Sequence, residues 1–161
     1  MGNKSALKSD QLSQVAQNLG IPYYKVEEII DEYTCYLGEK LRSGESVRVL
    51  NICYLNAGVS KRVPKETTAY ISYEIGKRVG MSSNIVYRVL STYEEFVIRN
   101  LRKTYDCRIR GLVRITLEPF YSKKVDKTVM KVRMKKSTIY NAKDIRVSAL
   151  SSFKRKLEVE A

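Results

Sequence analysis

The chain repeats its own pattern at a fixed spacing of 60 residues. The stretch "QNLGIPYYKVEEII", from Gln17 to Ile30, returns as "KRVGMSSNIVYRVL", from Lys77 to Leu90. Both read as the end of one amphipathic helix, a Gly, a large apolar residue, a helix-starting pair and a second apolar stripe led by Val. Adding 60 carries Val15 to Ile75, Gly20 to Gly80, Val26 to Val86 and Ile30 to Leu90. It also carries Tyr33 to Tyr93, Leu37 to Val97, Leu41 to Leu101, Arg48 to Arg108 and Val49 to Ile109, with no gap. Any two helical hairpins share apolar periodicity. Shared periodicity does not also place Gly, Tyr and Arg at one offset, whereas a duplication does.

The elements follow from spacing. Ser9 or Asp10 is expected to cap a first helix whose stripe is Leu12, Val15, Ala16 and Leu19, and Gly20 ends it. Pro22 suits the first turn of a second helix with the stripe Val26, Ile29, Ile30, Tyr33, Leu37 and Leu41, stopped near Gly44. A strand follows in "SVRVLNICYL", with Val47 and Val49 on one face and Arg48 on the other. The second copy runs on past the point where the first stops. "CRIRGLVRITLEPFYSKK" is expected to turn at "VDKT" into "VMKVRMKK", then "DIRVSAL", then a short helix "SSFKRKLEV" capped by Ser151 or Ser152.

Several function classes drop out on residue type. The chain contains no histidine, which removes imidazole bases and the commonest metal ligand. There is no P-loop and no GxGxxG. Cys35, Cys53 and Cys107 are widely spaced among apolar neighbours and read as buried free thiols. The expectation is a protein without enzymatic activity, cofactor, metal or small-molecule substrate. No apolar run approaches the ~18 residues of a membrane span, and "MGNKSALKSDQ" lacks the apolar block of a signal peptide, so no membrane role and an intracellular location are expected.

Charge supplies the positive signal. The net charge is +13, and residues 1–60 hold 6 Lys+Arg against 7 Asp+Glu while residues 61–161 hold 24 against 10. A polyanion explains such asymmetry, because each cation on a phosphate releases condensed counterions. Cys107, Ile109, Met130, Val132 and Met134 alternate with Arg108, Arg110, Lys131, Arg133 and Lys135, which places an apolar and a basic set on opposite faces of a sheet. Arg114 and Arg146 add to the basic set. Lys123, Lys124, Lys127 and Lys136 lie on the arm, a basic hairpin around residues 119–143. These eleven residues are the expected contacts to the phosphates of a polyanion, with DNA and RNA both open. No aromatic stacking pattern of an RNA-binding sheet appears among the strands.

The architecture resembles the HU and integration host factor family of bacterial and phage DNA-bending proteins. The likeness rests on "LKSDQLSQVAQNLGI" opening a helical pair and on "LRSGESVRVLNICYL", a Gly turn and strand. In the second copy it rests on a strand to Gly111, a basic arm, a returning "IRVSAL" and a closing "SSFKRKL". It covers residues 8–56 and 70–158. The resemblance implies an α+β chain with a duplicated fold, helical hairpins forming a base under an antiparallel β-sheet, and a basic β-arm in the second copy. It divides the chain into an armless half, 1–60, a linker, 61–69, and a complete copy, 70–161, paired as an intrachain pseudo-dimer. It implies binding of duplex DNA with weak sequence preference, in a bacterial host nucleoid or within a phage particle.

The departures are specific. The family's Gly-Phe-Gly-Thr-Phe motif becomes "NICYL" at 51–55 and "GLVRI" at 111–115, with only Gly111 kept. The family's Arg-Asn-Pro arm tip becomes "KKVDKTVM", without Pro, leaving Val129 or Met130 as candidates to wedge between bases. The alternative reading is a phage virion assembly protein, such as a head–tail connector or collar ring, that reuses the fold and binds itself or other virion proteins.

Overall fold

The computed structural model describes residues 3–57, 66–136 and 145–158. Among them the chain forms five helices and two antiparallel three-stranded sheets, a mixed α+β architecture. Helices α1 (Asn3–Leu19) and α2 (Tyr23–Arg42) lead into strands β1 (Val47–Val49) and β2 (Cys53–Asn56). Helices α3 (Thr68–Val79) and α4 (Ser83–Thr104) lead into β3 (Asp106–Ile109) and β4 (Val113–Ser122). The chain then doubles back as β5 (Lys127–Lys136) and closes with β6 (Arg146–Ala149) and α5 (Ser151–Glu158).

Apolar stripes set the helix packing. Val26, Ile29, Ile30, Tyr33, Leu37 and Leu41 of α2 are all buried, as are Val86, Leu90, Tyr93, Val97 and Leu101 of α4. Each such side chain contributes about 1.5–3 kcal/mol on burial. An exposed ion pair contributes about 0–1 kcal/mol, so the stripes decide the arrangement and the surface charges follow it. Thr67 and Ser82 cap α3 and α4, accepting from Tyr70 N at 3.1 Å and Ile85 N at 3.3 Å. Other ends differ from expectation. Helix α1 begins at Asn3, so Ser9 and Asp10 lie within it rather than at its cap, and α5 begins at Ser151, so neither serine precedes it. Pro22 sits just before α2. Cys53 and Cys107 are buried, but Cys35 is exposed because it falls off the α2 stripe.

The 60-residue offset reappears as geometry. Gly20 and Gly80 both adopt left-handed backbone, with φ of 66° and 69°. Ile21 N donates to Ala16 O at 3.1 Å, and Met81 N to Gly76 O at 3.0 Å. Val47, Arg48 and Val49 pair with Leu55, Tyr54 and Cys53, while Cys107, Arg108 and Ile109 pair with Ile115, Arg114 and Val113. Tyr33 Oη accepts from Leu50 N at 2.8 Å, and Tyr93 Oη accepts from Arg110 N at 3.0 Å. Burial pushes both phenols well above their ordinary range, so each stays neutral and hydrogen-bonded.

The halves interlock. Helix α1 packs on α4 and α2 packs on α3, and exchanging the halves maps one contact onto the other. Helix α2 also meets α4, the pair that such an exchange leaves on itself. The sheets are ordered β1-β2-β6 and β3-β4-β5. Strand β6 therefore completes the sheet of the first half, with Cys53 opposite Ala149 and Asn56 opposite Arg146. The buried residues form one core running from Leu12 to Leu157. Part of the expected linker, 61–65, and the arm's last residues, 137–143, lie outside the described residues.

Candidate nucleic-acid interface

Pairing of β3, β4 and β5 builds the basic face. Arg108 lies opposite Arg114, and Arg114 opposite Lys135, so three cations stand in one row across three strands. The next row holds Asp106, Thr116 and Arg133, and beyond it Glu118 faces Lys131. The opposite face carries Cys107, Ile109, Val113, Ile115 and Leu117, all buried against the helices. Directly opposed like charges repel, and the face answers with two carboxylates. Arg114 makes a bidentate pair with Asp106, at 3.1 and 2.7 Å, and Arg133 Nε lies 3.0 Å from Glu118. Both are exposed pairs that a phosphate could displace.

The hairpin lies at the edge of the core, with Met130, Val132 and Met134 packed against it and β5 in contact with β6 and α5. No residue from Glu118 through Lys136 is buried, although pairing continues out to Ser122 opposite Lys127. The turn is at 123–126, two residues earlier than "VDKT". Tyr121 Oη donates to the Asp126 carboxylate and closes it. Among the described residues, Arg108, Lys123, Lys124, Lys127, Lys131 and Lys135 have no carboxylate within ion-pair distance. Lys131 Nζ sits 5.8 Å from the centroid of the Phe120 ring, a cation–π contact that steers it along the arm.

The other expected contacts are distributed differently. Arg110 belongs to the β3–β4 turn, not to the basic face. Its guanidinium reaches across to α2, 3.4 Å from Glu27 and 3.2 Å from Asp31, and it joins the halves. Lys136 is opposite Val113, in the register of the core-facing side. Arg146 is exposed on β6, opposite Asn56, in the other sheet. Arg48, the counterpart of Arg108, folds back on its own turn, donating to Leu50 O and Asn51 Oδ1 at 3.2 and 2.8 Å. Val129 and Met130 are half-buried strand residues opposite Phe120 and Pro119, not tip residues. The exposed apolar groups near the tip are Phe120, Tyr121 and Val125. Tip position depends on where the strands stop pairing, and the sequence signal for it was the Lys-Lys-Val-Asp run itself.

No family model and no curated protein matches the chain. No helix among the described residues is long and apolar enough to cross a membrane. The site offers exposed cations in register across the sheet and along its hairpin, an arrangement suited to a repeating anion.

Proposed function

We propose that the protein is a non-enzymatic duplex-DNA-binding protein of the HU and integration host factor type, in which one chain supplies both halves of the helical base and a single arm. The observation that carries this reading is the row Arg108, Arg114 and Lys135, continued by Lys131 and the tip lysines. A row of cations held by pairing across strands costs stability unless an anion lies over it. The 60-residue repetition of turns, tyrosine bonds and strand register supports the duplicated arrangement, with copy boundaries near 1–60 and 70–161. Contacts go to phosphates, which position without reading sequence. Arg110, Val129 and Met130 have no part in it.

The six cations that have no carboxylate partner among the described residues predict a slope of about −5 in log K against log salt for the full-length chain. Fluorescence anisotropy with a labelled duplex should show affinity falling about 10³-fold between ~50 and ~200 mM salt. Absence of binding at the lower salt would overturn the reading. A second reading, an assembly protein of a phage particle, draws on the neutralisation of Arg114 and Arg133 by Asp106 and Glu118, and its test is the presence of the chain in stoichiometric rings in particles. The two readings place the protein in the bacterial cytoplasm and in the particle, respectively.

A further inference from the structure

The two carboxylates on the basic face reach diagonally across its strands, each to an arginine. Asp106 is in register with Thr116, yet it bonds Arg114 in the next row, at 3.1 and 2.7 Å. Glu118 lies opposite Lys131, yet its carboxylate is 3.0 Å from Arg133 Nε, while Lys131 leans over the Phe120 ring. Diagonal neighbours on one face of a sheet are within reach of long side chains. A guanidinium fork takes a carboxylate or a phosphate in the same planar geometry. The four side chains are 45–58 % exposed, so a ligand can reach both pairs.

The first half supplies a comparison. Subtracting 60 turns Arg108 and Arg114 into Arg48 and Tyr54, and Asp106 into Ser46. Arg48 is satisfied by Leu50 O and Asn51 Oδ1 of its own turn, and Ser46 Oγ accepts from Ala57 N at 3.1 Å. A carboxylate therefore stands at this position in the half with the cation row, and a neutral hydroxyl in the half where the row holds a single, self-satisfied arginine.

We infer that Asp106 and Glu118 are stand-ins for phosphate, which occupy Arg114 and Arg133 in the free chain and are displaced when a duplex binds. This deepens the DNA reading above, on which it rests, by naming the residues that set its affinity. Without an anion, Arg108, Arg114 and Lys135 repel one another across the row, so a carboxylate among them stabilises the free sheet. With a duplex in place the same carboxylates are like charges beside phosphate, and each must leave before its arginine can contact DNA. Exposed ion pairs are weak, so the exchange is open. The two effects have opposite signs. Removing either carboxylate should loosen the free fold and tighten binding, whereas the loss of a carboxylate that only supports the fold would tighten nothing.

The test uses full-length chains carrying Asp106→Asn, Glu118→Gln or both. Glu95→Gln, at an exposed carboxylate on α4, controls for total charge, and Asp106→Glu restores the carboxylate. Fluorescence anisotropy with a labelled duplex between ~50 and ~200 mM salt reads affinity and slope together. Each of the first two substitutions should steepen the slope by up to about one unit, and the pair should carry it from about −5 to about −7. Each should tighten binding at the lower salt by up to about fivefold. Asp106→Glu and Glu95→Gln should keep the original slope. Urea midpoints of Asp106→Asn and Glu118→Gln should fall in the free chain and recover when duplex is added. An unchanged slope in both single variants, or an equal change in Glu95→Gln, overturns the inference and leaves the DNA reading standing. Absence of binding by every form at the lower salt overturns both, and binding by the double variant alone upholds both.

Discussion

Thr34 and Glu94 stand 60 positions apart, each one residue after a buried tyrosine, and each hydrogen-bonds the turn of the opposite half. Thr34 Oγ1 donates to Arg110 O at 2.9 Å, and Glu94 Oε1 accepts from Asn51 N at 2.7 Å. The preceding tyrosines hold each turn from within its own half. Each turn is thus gripped from both sides, and β6 crosses over to finish the first sheet. The whole chain should unfold in one transition, with coincident fluorescence and circular-dichroism midpoints in urea. Two separated midpoints would show that the halves are independent.

The turn bonds are unequal. Leu50 N and Tyr33 Oη meet in a buried setting, and Leu50 itself has a φ of 50°. Tyr93 Oη and Arg110 N meet where burial is partial. Replacing Tyr33 with Phe strands a buried donor and should cost about 1–3 kcal/mol. Tyr93→Phe should cost less, because water can reach the freed N–H. Urea denaturation of the two variants gives the comparison directly, and a larger loss for Tyr93→Phe would contradict it.

Gly111 is held to glycine for two reasons. Its φ is 73°, and an added Cβ would lie 2.7 Å from Thr34 Cγ2. Gly111→Ala should therefore cost about 2–4 kcal/mol, combining left-handed strain with overpacking. Thr34→Ser keeps the hydroxyl and removes the methyl. In that background the same substitution should cost only the ~1–2 kcal/mol of the backbone. A double-mutant cycle without coupling would mean that the close contact is not felt.

Arginine and lysine substitutions should separate by partner. Lys131→Ala with Lys135→Ala removes two cations that have no carboxylate partner among the described residues and should flatten the salt slope of DNA binding by up to about two units. Arg110→Ala should leave the slope unchanged and lower stability, since Arg110 pairs with Glu27 and Asp31 across the halves. Anisotropy and urea titrations on the same preparations distinguish the two effects. A slope change in Arg110→Ala alone would reverse the assignment.

Stability should depend on pH in one direction only. With no histidine, no side chain of ordinary pKa titrates between pH ~5 and ~8. The hydrogen bond from Arg78 holds the Glu39 carboxyl below its ordinary value of 4.5. A folded pKa below the unfolded one gives stability that is present above pH 4.5 and lost as pH falls through the folded value. Urea midpoints should be level from pH ~5 to ~8 and decline at lower pH, with part of that decline absent in Arg78→Met. A midpoint that rises on acidification would contradict the direction.

Period and offset were legible along the chain because they are local. The stripes of α2 and α4, the turn glycines, the matched tyrosines and the basic-over-apolar alternation near Arg108 and Lys131 all depend on residues a few positions apart, repeated once. What lay outside that reach was decided by contacts between distant segments. Nothing in "DIRVSAL" says that it will pair with β2 rather than stay with its own half, since strand partners are chosen by which edge the fold leaves open. Nothing near Arg110 announces Glu27 and Asp31, more than 70 positions away, so a residue counted with the DNA-binding set became a tie between the halves. The hairpin tip moved to 123–126 because pairing length, not turn propensity alone, sets where strands part. The sequence by itself determined the elements, their repetition and the placement of charge. Only the tertiary structure decided which charges are neutralised and which sheet the last strand completes, because each depends on long-range packing that local periodicity does not encode.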